Sequence, residues 1–191
     1  MSVILASQSP RRQELLRRMG LDQFEIRPAQ GEEVVPDGLT VAQQVEELSR
    51  QKAREVAACA RPGDVVIAAD TVVAVDDRVL GKPKSPEQAE EMLRSLSGRG
   101  HWVYTGVTVC RDGVERTEHE RTRVNFRALS PQEIRAYVQS GECNDKAGAY
   151  GIQGRGCVLV EGIEGDYYNV VGLPVCRLAL MLREFGVDVM K

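Results

Sequence analysis

Five consecutive apolar residues, Val65-Val66-Ile67-Ala68-Ala69, run straight into Asp70-Thr71. A short apolar run of this kind reads as a buried strand, and it ends on a carboxylate where burial alone would select another aliphatic side chain. In open α/β sheets, ligands bind in the crevice outside the carboxyl ends of the strands, which makes Asp70 a candidate for chemistry. The competing reading is a turn start or a helix cap.

The rest of the chain alternates strands with capped helices. Val3 to Ala6 reads as a strand, and Ser9 then caps a helix whose first residue is Pro10 and which stops at Gly20. A short strand is expected around Phe24 to Arg27. Thr40-Val41-Ala42-Gln43 forms a capping box opening a helix to about Ala58, with Val41, Val45, Leu48 and Val56 as its apolar stripe. At 100° per residue Lys52 falls within about 40° of Val41, Val45 and Leu48, so it projects from the core-facing stripe; the alternative is a stem that snorkels to water. The strand ending at Asp70 continues to Val75, turns at Asp76-Asp77 and returns through Val79-Leu80 toward Gly81-Lys82-Pro83.

Ser85-Pro86 and Ser130-Pro131 open two more helices, the second closed by Gly141. Between them a strand at His101 to Cys110 turns at Arg111-Asp112-Gly113 into a half-exposed strand over 114–128. A Gly-rich stretch from Gly148 to Gly156, a strand near Val158 to Ile163 and a helix from Pro174 to Phe185 complete the chain. Hairpins among alternating strands and helices predict an α/β fold with a mixed, twisted sheet and flanking helices.

At 191 residues and 42% hydrophobic side chains the chain can bury a sizeable core, as one domain or as two lobes sharing a sheet. A net charge of −3 and 5% aromatic residues argue against nucleic acid or an anionic membrane as partner. No apolar run is long enough to span a bilayer, and Met1-Ser2-Val3 leads into a strand rather than a signal, so a cytoplasmic location is expected. The five cysteines show no C-x-x-C pair and are expected mostly in the core. With only His101 and His119 besides them, a functional metal would be a hard cation on oxygen ligands, Mg²⁺ or Mn²⁺.

Several phosphate motifs are excluded. Gly81-Lys82 is followed by Pro83 where a P-loop needs Ser or Thr, and Gly151, Gly154 and Gly156 are misordered for a dinucleotide fingerprint. Those glycines then serve turns or a close backbone approach to a ligand. G-x-S-x-G and H-E-x-x-H are both missing. What remains is charge at element boundaries. Ser7, Ser9, Arg11 and Arg12 lie at a strand-to-helix turn, where free N–H groups and bidentate arginines suit phosphate oxygens. Lys52 and Lys82 add two point charges, while Glu32, Glu33 and Asp70 offer oxygens for a divalent ion. Cations that neutralise a polyphosphate and carboxylates that hold a metal or orient water are what phosphoryl chemistry requires.

These residues sit in blocks that resemble the Maf family: Leu5-Ala6-Ser7-Gln8-Ser9-Pro10-Arg11-Arg12, Ala69-Asp70-Thr71-Val72-Val73, Gly81-Lys82-Pro83, Leu96-Ser97-Gly98-Arg99, the run from Asp145 to Gly154, and the run from Gly165 to Pro174. They follow the family's order from the first strand to the last helix. The resemblance implies one Maf-type domain over residues 1–191, an inosine-triphosphatase-like α/β fold with two lobes around a central cleft, and commonly a homodimer. It implies a nucleoside triphosphate pyrophosphatase that cuts between the α and β phosphates with a divalent metal.

Position by position, the resemblance makes Asp70 the catalytic carboxylate, and Ser7, Arg11, Lys52 and Lys82 the grip on the phosphates; beside it, the residues themselves offer Glu33 as a metal partner for Asp70. Arg11 or Arg12, Thr71 and Gln153 resemble positions linked to base choice, in the pattern of the branch acting on dTTP and UTP. A Gln both donates and accepts, which suits the O4 and N3–H edge of uracil or thymine. Two departures stand out: Glu32 where many members carry Asp, and Glu142-Cys143-Asn144 where Glu-Pro-Leu is frequent. The family name also carries an association with septum formation, so the alternative function is a nucleotide-binding regulator acting through a division partner. Such a regulator would need the cleft but not Asp70.

Overall fold

The computed structural model describes residues 1–76 and 78–190. Seven strands form one mixed sheet: β1 (Val3–Leu5), β2 (Glu25–Ile26), β3 (Val65–Val75), β4 (Arg78–Leu80), β5 (Gly100–Arg111), β6 (Val114–Phe126) and β7 (Val160–Glu164). Their order is β2-β1-β3-β5-β6-β7, with β4 antiparallel to the far end of β3. β1 runs parallel to both β2 and β3, and β6 antiparallel to β7. The helices are α1 (Pro10–Arg18), α2 (Val41–Ala57), α3 (Pro86–Leu96), α4 (Pro131–Gln139), α5 (Tyr167–Val171) and α6 (Val175–Glu184). The α/β class and the mixed sheet therefore agree with the sequence reading.

Helix starts follow their local chemistry. Ser9, Thr40, Ser85 and Ser130 each accept a backbone N–H of the first turn, and Thr40/Gln43 and Ser130/Glu133 close both bonds of a capping box. Asp112 and Gly113, both with positive φ, make the two-residue turn joining β5 to β6. Some boundaries differ from expectation. Residues 155–159 form a 3₁₀ turn, so β7 begins at Val160, and β6 ends at Phe126. The short α5 gave no periodic signal; Asp166 starts it by accepting the Tyr168 N–H through Oδ1 at 2.8 Å. Of the two aspartates expected at the β3–β4 tip, Asp76 has φ +49° and Asp77 lies outside the described residues.

The chain folds as two compact units. The first comprises residues 1–70, 105–120 and 172–191, the second residues 71–104 and 121–171. In the first, Val66 and Ala68 of β3 pack with Ile4, Ala6, Cys110 and the α2 residues Ala53 and Val56. In the second, α3 and α4 cover a core built on Val73, Leu93, Leu96, Val124, Phe126, Ile134 and Tyr150. The cysteines correct the expectation that most fill the core: Cys110 and Cys143 are buried, but Cys59, Cys157 and Cys176 are exposed. Cys59 follows the end of α2, Cys157 rides a 3₁₀ turn, and Cys176 sits about 200° around α6 from buried Leu178.

His101, 1% exposed, donates to or accepts from Tyr150 Oη through Nε2 at 2.8 Å and packs edge-on against Phe126. Burial pulls its pKa from 6.5 down to about 4. Between those values the unfolded chain binds a proton that the folded protein refuses, so stability falls as pH drops through that window. The loss amounts to about 3 kcal/mol. Melting curves from pH 7 to 4.5 should show the wild type losing more Tm than His101→Gln; parallel losses would count against this origin.

Candidate active site

Side chains alternate along a strand, so Asp70 continues the row of Val66 and Ala68 that faces α2. It lies inside the eleven-residue β3, not at its end, which removes both the turn-start and the helix-cap readings. β1 pairs with β3 only as far as Leu5 opposite Ile67, so Asp70 stands past the carboxyl end of β1. The chain leaving β1 there is the Ser7–Ser9 turn into α1.

Lys52 projects from α2 toward the same place, as its position on the helical wheel predicts. Its Nζ donates to Asp70 Oδ1 at 2.5 Å and lies 2.9 Å from Glu33 Oε1. Asp70 is 8% exposed and the Lys52 side chain 17%, so this pair is screened far less than a surface bridge. Glu33 reaches in from an exposed loop that α2 itself secures. Glu55 Oε1 and Oε2 accept the N–H groups of Gln30 and Gly31 at 2.7 and 3.0 Å. Gln51 accepts the Val34 N–H at 3.2 Å and donates to the Val34 carbonyl at 2.7 Å. Sequence reasoning passed over Gln51 and Glu55, although their i, i+4 spacing beside Lys52 was a signal that they share a face.

Arg12 is anchored at the turn between β1 and α1. Its Nε donates to the Gly172 carbonyl at 2.9 Å and its Nη1 to Ser7 Oγ at 3.2 Å, while Ser7 Oγ also accepts the Ser9 N–H at 3.2 Å. Burial lowers the Arg12 pKa, and Asp70 acts against that shift, followed by Arg11 and Glu33 with opposite signs. The guanidinium thus feels both carboxylates and its neighbouring arginine. The first unit brings together Ser7, Arg11, Arg12, Glu33, Lys52 and Asp70. Glu32 is exposed on the same loop as Glu33.

Thr71, Lys82 and Gln153 belong to the second unit. Thr71 is half-buried in β3, and Lys82 is exposed in a loop whose Gly81 carbonyl accepts the Gly148 N–H at 3.1 Å. Gln153 is exposed on the Gly-rich turn. The glycines of that turn make a close approach, but to protein: a Cβ on Gly154 would stand 2.2 Å from Glu142 Oε2, and one on Gly156 2.4 Å from the Gly151 carbonyl oxygen.

Two carboxylates converging on one cation position, with anion-binding groups beside them, suit a hard divalent ion that keeps most of its ligands as water and phosphate. Among the described residues no group of three or more His, Cys, Asp and Glu could hold a metal by itself. No helix among them is long and apolar enough to cross a membrane.

The sequence pattern of the Maf-like protein family matches residues 2–185. The chain is 55% identical over 189 residues to a dTTP/UTP pyrophosphatase of Moorella thermoacetica, covering 98% of this chain and 96% of the relative. A dTTP/UTP pyrophosphatase of Carboxydothermus hydrogenoformans is 53% identical, with 97% of this chain and 100% of the relative covered. Among solved structures, the Staphylococcus aureus Ham1 protein superposes with a TM-score of 0.55 at 15% identity, covering 98% of this chain and 100% of that one. A HAM1 protein from Coxiella burnetii gives 0.51 at 18% identity, with 96% and 99% covered. These two likenesses concern the fold. With one family's sequence pattern running from residue 2 to residue 185, and more than half of all positions shared with relatives along almost their whole length, the chain belongs to the Maf family.

Proposed function

We propose that this chain is a nucleoside triphosphate pyrophosphatase that hydrolyses dTTP and UTP to the monophosphate and pyrophosphate. The observation that carries the reading is the Lys52 ammonium held between Asp70 and Glu33, with Arg12 beside them. Relatives named for this activity support it. Ser7, Arg11, Arg12, Lys52 and Lys82 neutralise and orient the polyphosphate, while Thr71 and Gln153 face the choice of base. Asp70 is the catalytic carboxylate, acting on the water that attacks the α phosphorus as its base or through a metal. Asp70 and Glu33 would hold Mg²⁺ or Mn²⁺, which when bound supplies charge neutralisation at the phosphates.

A house-cleaning role in the cytoplasm, a single working domain and a homodimer complete the proposal; sedimentation velocity tests the last. A division regulator would have no use for a buried, ion-paired Asp70, which favours the enzyme.

The deciding experiment is a panel of nucleoside triphosphates with Mg²⁺ or Mn²⁺, scored separately for pyrophosphate and orthophosphate. Pyrophosphate from dTTP and UTP is expected; orthophosphate alone would mean that another bond is cut. Lys52→Ala and Lys82→Ala should each raise KM for the triphosphate by about 10- to 100-fold, the worth of a charged hydrogen bond. Unchanged kinetics in both variants would contradict the cationic grip.

A further inference from the structure

We propose that Glu142 is a specificity-determining positioning residue: its carboxylate fixes the 151–156 turn in the one shape that presents Gln153 to the nucleobase. The inference rests on the reading of Gln153 given above and adds the group on which that side chain depends.

Glu142 lies just past α4, half-buried, with its carboxylate turned into the Gly-rich segment. Oε2 accepts the Arg155 N–H at 2.7 Å, and Oε1 accepts the Gly156 N–H at 3.0 Å and the Tyr137 hydroxyl at 2.9 Å. Tyr137 Oη in turn accepts the Gly151 N–H at 3.0 Å. One carboxylate therefore anchors both ends of the turn, directly at 155 and 156 and through Tyr137 at 151. Its own backbone is held as well, because Lys146 Nζ donates to the Glu142 carbonyl at 2.6 Å.

The glycines belong to the same device. A Cβ on Gly154 would meet the carboxylate at 2.2 Å, one on Gly156 would meet Tyr137 Oη at 3.0 Å, and one on Gly151 would meet Lys146 Cε at 2.6 Å. A backbone that approaches an anchored anion this closely has no room to shift, and Gln153 rides at its exposed crest. Burial alone would raise the Glu142 pKa, but the Gly156 and Arg155 N–H groups, Tyr137 and Lys146 hold it below the ordinary carboxylate value. The carboxylate is thus ionised across the working range, as an acceptor of three donors must be.

A side chain that reads a base edge by hydrogen bonds discriminates only while its position is held, since a shift of about 1 Å at such a contact costs on the order of 10²-fold. The bonds that Glu142 makes are to Tyr137 and to the turn itself, so Glu142 should act on base choice more than on the chemical step.

The test compares kcat and KM for dTTP and dCTP, which differ at the N3 and O4 edge, in wild type, Gln153→Ala, Glu142→Gln and the double variant. Glu142→Gln keeps the size but places an amide NH₂ where one of the donors must be met. It should lower the dTTP:dCTP preference by about 10-fold, mostly through KM for dTTP, and add little to Gln153→Ala in the double variant, as residues acting as one unit do. Amide hydrogen exchange at 151–156 should speed up in Glu142→Gln and not in Gln153→Ala. If Gln153→Ala leaves the preference intact, the reading of Gln153 itself falls. If Gln153→Ala lowers the preference while Glu142→Gln does not, or if the two losses multiply, the positioning role is overturned and the base reading stands. Tyr137→Phe, which removes only the link to Gly151, should fall between wild type and Glu142→Gln.

Discussion

Asp70→Asn should lower dTTP turnover by about 10³-fold, the midpoint of what a positioned acid or base contributes, with the fold intact. The substitution conserves shape, and an Asn Oδ1 in that place can still accept the Lys52 ammonium that now lies 2.5 Å away. What disappears is the negative charge, which either catalytic role requires. Lys52 is not orphaned, because Glu33 remains at 2.9 Å, so the large penalty for a buried unpaired charge does not arise. The Tm should stay within a few degrees of wild type. Near-full activity in this variant would sink the catalytic assignment.

Gly106→Ala should produce the largest loss of stability, about 3 kcal/mol or more, which for a chain of this size lowers Tm by roughly 10 °C. Gly106 lies in β5 where α2 crosses it. A Cβ there would stand 2.1 Å from the Val45 carbonyl oxygen, 2.3 Å from its carbon and 2.7 Å from the Glu46 nitrogen. These are helix backbone atoms, so no rotamer change relieves the clash and α2 itself must move. Lys52 follows Val45 by two helical turns, so the displacement reaches its ammonium and activity should fall with stability. Gly162→Ala, where nothing lies within 4 Å, serves as the control and should melt like wild type. A Gly106→Ala protein with wild-type Tm and turnover would show that α2 is not seated by that contact.

Local rules carried much of this molecule. Caps at Ser9, Thr40, Ser85 and Ser130 placed helix starts within a residue, because one side-chain oxygen meeting one free N–H decides them. Helical periodicity alone turned Lys52 inward, and the bond to Asp70 agrees with it. The failures have a common cause. Glu142 stood out only as part of a departure from the family pattern, because two of its three donors come from residues 13 and 14 positions later, a separation no periodic pattern encodes. The anchoring of Arg12 uses a carbonyl 160 residues away, at Gly172. The run through Asp70 to Val75 read as one strand, but the early end of β1 at Leu5, which leaves Asp70 past its carboxyl end, shows only in the pairing of the two strands.

The arrangement around Lys52 has an electrical consequence. Asp70 and Glu33 face Lys52 and Arg12, with Arg11 adjoining, so the two carboxylates meet cationic side chains of the chain itself as the protein folds. The chain supplies its own counter-ion from α2, so folding needs no borrowed cation to hold the carboxylates together. That counter-ion is tethered by four methylenes and can change partners without leaving. When a polyphosphate arrives, the same ammonium that quiets Asp70 becomes available to an anionic oxygen. At rest the site therefore carries its own exchangeable counter-ion, and under the proposed function the negative charge of a polyphosphate would draw the lysine away from the carboxylates.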